Sequence, residues 1–216
     1  MEIKDCIKTA FNACCYEYDR IFKSGFTPWA NDERYSIHET NQVSTFMSSY
    51  KAIKPDCLTW MELSVPYTIM DEKGVSHDKT NHIDGFIIDD NKVIFIEAKR
   101  FSRLNKKITE LKNDLLAVRN LFENKECMDN FRSRLPSTSD KYEFYCLLLA
   151  DYWKFRNRKN VGKSDKEIPF NWDNIVLEWK IEEEQKLDKV EVGYSNKALY
   201  DNNYHRAYAL FELKDF

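Results

Sequence analysis

The feature that most constrains this chain is a pair of acids set on two short strand-like runs. Residues 81–88 and 92–99 both alternate or cluster apolar side chains, and Asp89-Asp90-Asn91 between them is a turn signal. If Asp90-Asn91 is a two-residue turn, 89 faces 92 and, further along, 84 faces 97; a symmetric four-residue loop keeps the same register. Asp84 and Glu97 then form a directly opposed cross-strand pair with Cβ atoms about 5 Å apart. Lys99, two residues beyond Glu97, points to the same face of the sheet. Like charges opposite each other destabilise a sheet, so the arrangement calls for a cation.

At 216 residues the chain is most simply one domain with room for a substantial core. Apolar residues make up 43% and charged residues 32%, as in a soluble globular protein, and the 14% aromatic content favours a packed sheet. The formal net charge of −3 gives no global support for nucleic-acid binding, so any basic footprint must be local. No run of about 18 apolar residues suggests a membrane span. The first residues, Met1 to Cys6, lack a secretory apolar segment. The six cysteines sit mostly in apolar runs (Cys14-Cys15, Cys57, Cys146), with no CxxC pair to suggest zinc. They read as reduced, buried thiols of a cytoplasmic protein.

Residues 2–23 carry Ile3, Ile7, Ala10, Phe11, Cys14, Tyr18 and Ile21 at helical spacing, and Gly25 and Pro28 follow. A second helix is expected over about 32–50, capped by Asn31-Asp32, with Ile37, Val43, Phe46 and Met47 inward. Residues 59–70 read as a strand, 71–74 as a turn and 75–80 as a polar loop before the two strands above. Leu104, Ile108, Leu111, Leu115, Val118 and Phe122 mark a helix over about 103–123. Residues 142–149 form an apolar strand of the kind buried on both faces, one that could run parallel to its neighbour. A basic loop follows at 154–167, then an expected hairpin of 175–181 with 189–194, then a strand at 207–213. Three meandering strands followed by a crossover helix and a fourth strand give an α/β fold, a mixed central sheet with helices on its faces.

With His82-Ile83-Asp84-Gly85 on one strand and Glu97-Ala98-Lys99 on the next, this order resembles the PD-(D/E)xK nuclease superfamily, the restriction-endonuclease-like fold. The family core is helix, three strands, helix, strand. Its signature is an Asp early in the second strand and an (Asp/Glu)-x-Lys on the third. The likeness spans about residues 32–150, with the N-terminal helix and C-terminal strands as additions. One departure is that Ile83, not proline, precedes Asp84. The family commonly adds an acid on its first core helix, for which Glu39 is the best match; Glu62, sharing its strand side with Trp60 and Ser64, competes.

The resemblance implies a Mg²⁺-dependent hydrolysis of phosphodiester bonds, with Mn²⁺ as a substitute. Asp84, Glu97 and the backbone carbonyl of Ala98 would hold the metal, and Lys99 would stabilise charge on the phosphate. A second ion would need Glu39 or Glu62. His82, opposite Lys99 in the same register, would touch a phosphate or shape the metal site; the plainer reading is a strand cap. For Asp84, Glu97 and Lys99 the plainer reading is a partly buried ion-pair cluster, which leaves one carboxylate undercompensated.

Two local patches are basic. One is Arg100, Arg103, Lys106 and Lys107 beside Lys99, with no acid among them in sequence; the other includes Arg156 and Arg158, interleaved with aromatics. Such groups bind phosphates without sequence preference, and DNA is the expected partner. Cutting two strands often needs two sites, so a homodimer is one expected arrangement. The rival reading is a non-catalytic nucleic-acid-binding or protein-interaction module on the same fold. No GxGxxG, Walker A, GxSxG or HExxH motif supports another enzyme class.

Overall fold

The computed structural model describes residues 1–24, 39–70, 76–101, 104–136, 141–153, 172, 176, 187–195 and 204–213. Helix α1 (Ile3–Lys23) and helix α2 (Glu39–Ile53) precede a meander of β1 (Leu58–Met70), β2 (Ser76–Asp89) and β3 (Lys92–Phe101). Helices α3 (Leu104–Glu123) and α4 (Lys125–Arg132) then lead to β4 (Glu143–Trp153), β5 (Leu187–Tyr194) and β6 (Tyr204–Leu213). The strands form one six-stranded sheet in the order β1-β2-β3-β4-β6-β5. Only β3 and β4 run parallel, joined by the crossover through α3 and α4; the other neighbours are antiparallel. Among the described residues no helix is long and apolar enough to cross a membrane.

The apolar pattern of each element explains its place. The stripe of α1 buries Ile7, Ala10, Phe11, Cys14 and Tyr18, and α2 buries Val43, Phe46, Met47 and Tyr50. Together these cover one sheet face, against Ile87, Ile94, Ile96, Ala98, Leu147 and Leu149. Leu111, Leu115, Val118 and Phe122 of α3, with Cys127 and Met128 of α4, cover the other, against Val93, Phe95, Phe144, Cys146 and Leu148. Strand β4 is therefore buried on both faces, as its unbroken apolar run requires.

The hairpin turn is the one the sequence signals. Asp89 faces Lys92, and the ladder runs back to Gly85 facing Ile96. Asp90 carries a φ of 53°, the positive value a two-residue hairpin loop needs at its first central position. Gly85 is needed for packing: a Cβ there would lie 2.9 Å from Val43 Cγ1 and 2.8 Å from Met47 Cε, where α2 presses on the sheet.

Several expectations change. Residues 76–80, expected as loop, extend β2, because Met70 through Pro66 pair with Ser76 through Thr80. Helix α2 is described only from Glu39, and the expected start at 32–38 and the turn at 71–74 lie outside the described residues. Helix α4 was not expected; the Asn124 side chain caps it by accepting from the Cys127 N–H at 3.0 Å. Strand β5 pairs with β6; of the expected hairpin partner 175–181 only Val176 is described, with helical backbone, and the rest lies outside the described residues. The basic loop at 154–167 lies outside the described residues.

Candidate functional site

The candidate acids meet at the far end of the β2–β3 hairpin, where β2 is released from both neighbours. On one side the β2–β3 ladder stops at Gly85–Ile96. On the other, the β1–β2 register runs from Leu58–Ile88 to Met70–Ser76 and omits only the rung at Glu62 and Asp84. Glu62 there has a φ of 56°, a left-handed conformation costly for a residue with a Cβ. The interruption shifts the alternation of β2: Ile87 packs on the α1/α2 face, yet Ile83, four residues back, packs on the α3/α4 face. Asp84 thus has no regular rung, and its Oδ2 instead accepts the backbone N–H of Ala98 at 2.8 Å. This contact holds Asp84 beside Glu97, although the directly facing rung expected between the two is not part of the ladder.

Glu97 follows the alternation of Val93 and Phe95 and so points to the α3 side. It lies across from Leu148 of the apolar β4 and is 3% exposed. Burial, then the charges of Asp84 and Asp114, push its carboxyl up to about 9. Burial also raises the Asp84 carboxyl, with Glu39 and Asp114 adding; the Ala98 N–H and Lys99 oppose the shift. Lys99 is half-buried, which alone would lower its pKa. Its hydrogen bond and charge contact with Asp114, with Asp84 and Glu39 behind, more than offset this and leave it raised.

Glu39 reaches the same place from the other face. It is the first residue of α2, where the helix dipole favours a carboxylate, and its Oε1 accepts the backbone N–H of Arg100 at 3.0 Å. Asp114 was missed by the sequence reading. Its Oδ2 lies 2.7 Å from Lys99 Nζ. The signal for it is its position three residues after Leu111 and four before Val118, a carboxylate beside the apolar stripe of α3. Among the described residues, Lys99 contacts Asp114 and feels the charges of Asp84 and Glu39, and Glu97 feels those of Asp84 and Asp114.

The remaining candidates are less enclosed. Glu62 is exposed on the edge strand. His82 is exposed too, with Nδ1 3.0 Å from Ser64 Oγ on β1; the expected facing of His82 and Lys99 lies beyond the end of the ladder. Of the first basic patch, Lys107 pairs with Glu110 one turn on, and Lys99 with Asp114, so two of its charges are offset by acids of α3. Arg100 is half-buried. Arg103, Arg156, Arg158 and the Lys106 side chain lie outside the described residues. All six cysteines are free and buried. A cavity of about 220 Å³ between β1, β2 and α4 is lined by Leu63, Val65, Phe86, Ile88 and Phe131 among others, and by none of the candidate residues.

Among the described residues, no three His, Cys, Asp or Glu side chains are grouped closely enough to cage a metal ion. The donor set among the described residues is instead the buried Glu97 with the half-buried Asp84 beside it. That suits Mg²⁺, which is commonly bound through one or two carboxylates and keeps several waters, better than an ion that needs an all-protein cage. Comparison of the chain with models of protein families, with curated proteins and with solved structures gives no match.

Proposed function

We propose that the chain is a Mg²⁺-dependent nuclease of the PD-(D/E)xK kind, with a restriction-endonuclease-like core formed by α2, β1–β3, α3 and β4. The observation that carries this reading is the buried Glu97 set beside Asp84: burial and the charges of Asp84 and Asp114 drive its carboxyl up to about 9, while Lys99 is turned to Asp114 at 2.7 Å. Burying a carboxylate without a counter-charge costs several kcal/mol, and a divalent cation would remove that cost. Asp84 and Glu97 would hold the ion, with Mn²⁺ as a substitute. When bound, it would polarise a phosphate and lower the pKa of a coordinated water.

The chain's own groups supply the rest. The Ala98 N–H orients Asp84, and Glu39 fixes the end of β3 through the Arg100 N–H. Lys99 presents positive charge to the negative charge that grows on the phosphoryl oxygens. DNA is the substrate class we assign. A homodimer would provide two sites for two strands. Six buried, free thiols are consistent with a reducing, cytoplasmic setting.

The test is cleavage of plasmid and single-stranded DNA with Mg²⁺ or Mn²⁺ and with EDTA. Asp84→Asn and Glu97→Ala are expected to lower the metal-dependent rate by about 10³-fold, and Lys99→Ala by about 10²-fold. Unchanged rates in Glu97→Ala or Lys99→Ala would sink the assignment. Salt-sensitive DNA binding that needs no metal and gives no cleavage would favour the binding-module reading.

A further inference from the structure

Lys99 and Glu97 are two residues apart on one strand and share a face, yet the ammonium of Lys99 is turned to Asp114 on α3, 2.7 Å away, with both side chains partly buried at 17% and 28% exposure. A lysine is a compact charge on a flexible four-carbon stem and can be drawn to more than one neighbour. Asp84 and Glu39 also act on Lys99. Without Asp114, the acids that still draw the ammonium would be Asp84 and Glu39, the next strongest to act on it. At Asp84 it would occupy the oxygens that a divalent cation needs. Resting on the cation-site reading above, we infer that Asp114 is a positioning residue: it holds Lys99 off the Asp84–Glu97 pair and so leaves these carboxylates to the metal.

The role differs from ligation by Asp114 itself and from plain stabilisation, and a double-mutant comparison separates the three. The probe is Mn²⁺ alone, titrated by calorimetry into the full chain without substrate, with a melting curve for each variant. Asp114→Asn is expected to weaken Mn²⁺ binding about 10-fold, because Lys99 then competes for the acid pair. Lys99→Met is expected to bind Mn²⁺ at least as tightly as the wild type. Combining Asp114→Asn with Lys99→Met should leave affinity within about threefold of Lys99→Met alone. A loss as large in that background as in the wild type overturns the inference, since Asp114 would then act through its own charge on the ion. Unchanged affinity in folded Asp114→Asn also overturns it. If Asp114→Asn does not fold, Asp114→Glu decides: it keeps the charge and should bind within about threefold of the wild type, and a larger loss counts against the role. Wild-type protein that binds Mn²⁺ but cuts no DNA would remove the nuclease reading and leave this one standing; protein that binds no Mn²⁺ removes both.

Discussion

The two ends of the β2–β3 hairpin bury carboxylates in opposite ways. At the turn end, Asp89 is buried and its Oδ2 accepts the Tyr50 hydroxyl at 2.8 Å, with Lys54 Nζ at 3.5 Å. One acid there has a donor and a cation. At the far end, burial and the charges of Asp84 and Asp114 drive Glu97 up to about 9. A buried polar group that serves stability is normally given partners. At that end the partners of Asp84 and Glu39 are backbone N–H groups and Glu97 leans on another acid, and strongly perturbed groups concentrate at functional sites. The same hairpin thus shows one carboxylate compensated by a hydroxyl and a lysine, and another, Glu97, whose burial and acidic neighbours raise its pKa.

The largest effect that can break this comparison is on stability. Asp89→Ala leaves the Tyr50 hydroxyl and Lys54 without their acceptor and is expected to cost about 2–3 kcal/mol in urea unfolding. Glu97→Gln, which mimics the protonated acid, is expected to cost nothing at pH 8 in EDTA, or to stabilise. Similar losses at both positions would mean that the far end is an ordinary structural cluster.

The pH dependence sharpens the contrast. Burial pushes the Glu97 carboxyl from the ordinary glutamate value of 4.5 up to about 9 in the folded chain, and Asp84 shifts the same way. Between those values the folded chain keeps a proton that the unfolded chain has lost, so raising the pH favours unfolding. The stabilising contribution is full below the unfolded value and gone above the folded one. Facing Glu97 are Asp84 and Asp114, which strengthen the shift, and Lys99, which opposes it. In EDTA the wild-type melting temperature is expected to fall by roughly several degrees from pH 6 to 9. Glu97→Gln should flatten the fall, and saturating Mn²⁺ should reverse it. A profile that Glu97→Gln leaves unchanged would place the titration elsewhere.

What could be read in the sequence was what local pattern dictates. The Asp89-Asp90-Asn91 turn set the register of Asp84 and Glu97 to within one rung, because side-chain alternation has a period of two and a slip would have turned Ile94 and Ile96 away from α1 and α2. Stripes at helical spacing placed α1 and α3 almost to the residue. Glu39 was singled out only through the family resemblance; the structure places it at the start of α2, where it accepts the Arg100 N–H. Long-range pairing was not legible. Strand β6 lies between β4 and β5 because its apolar Ala207–Leu213 stretch seals β4 against the edge, a choice no local pattern encodes. Asp114 escaped for the same reason: its meaning depends on which strand α3 crosses. Helix α4 escaped because eight residues carry too little periodicity to stand out.

The smallest effect concerns how Asp84 is set free. Glu62 holds a φ of 56° opposite Asp84, at the single omitted rung of the β1–β2 ladder. Glycine adopts that conformation without strain, which would gain about 1 kcal/mol, but its greater freedom in the unfolded chain returns most of that. Glu62→Gly is therefore expected to change stability by no more than about 0.5 kcal/mol. It should also leave the cleavage rate within about threefold, because it removes an exposed carboxylate and keeps the backbone shape. Glu62→Val loses the same carboxylate but resists a positive φ, which pushes the strand back toward a regular rung at Asp84. If the backbone release matters, Glu62→Val should lower the rate well below that of Glu62→Gly at equal folded fraction. If both variants lose activity alike, the Glu62 carboxylate itself belongs to the far-end cluster, and the comparison must be redrawn to include it.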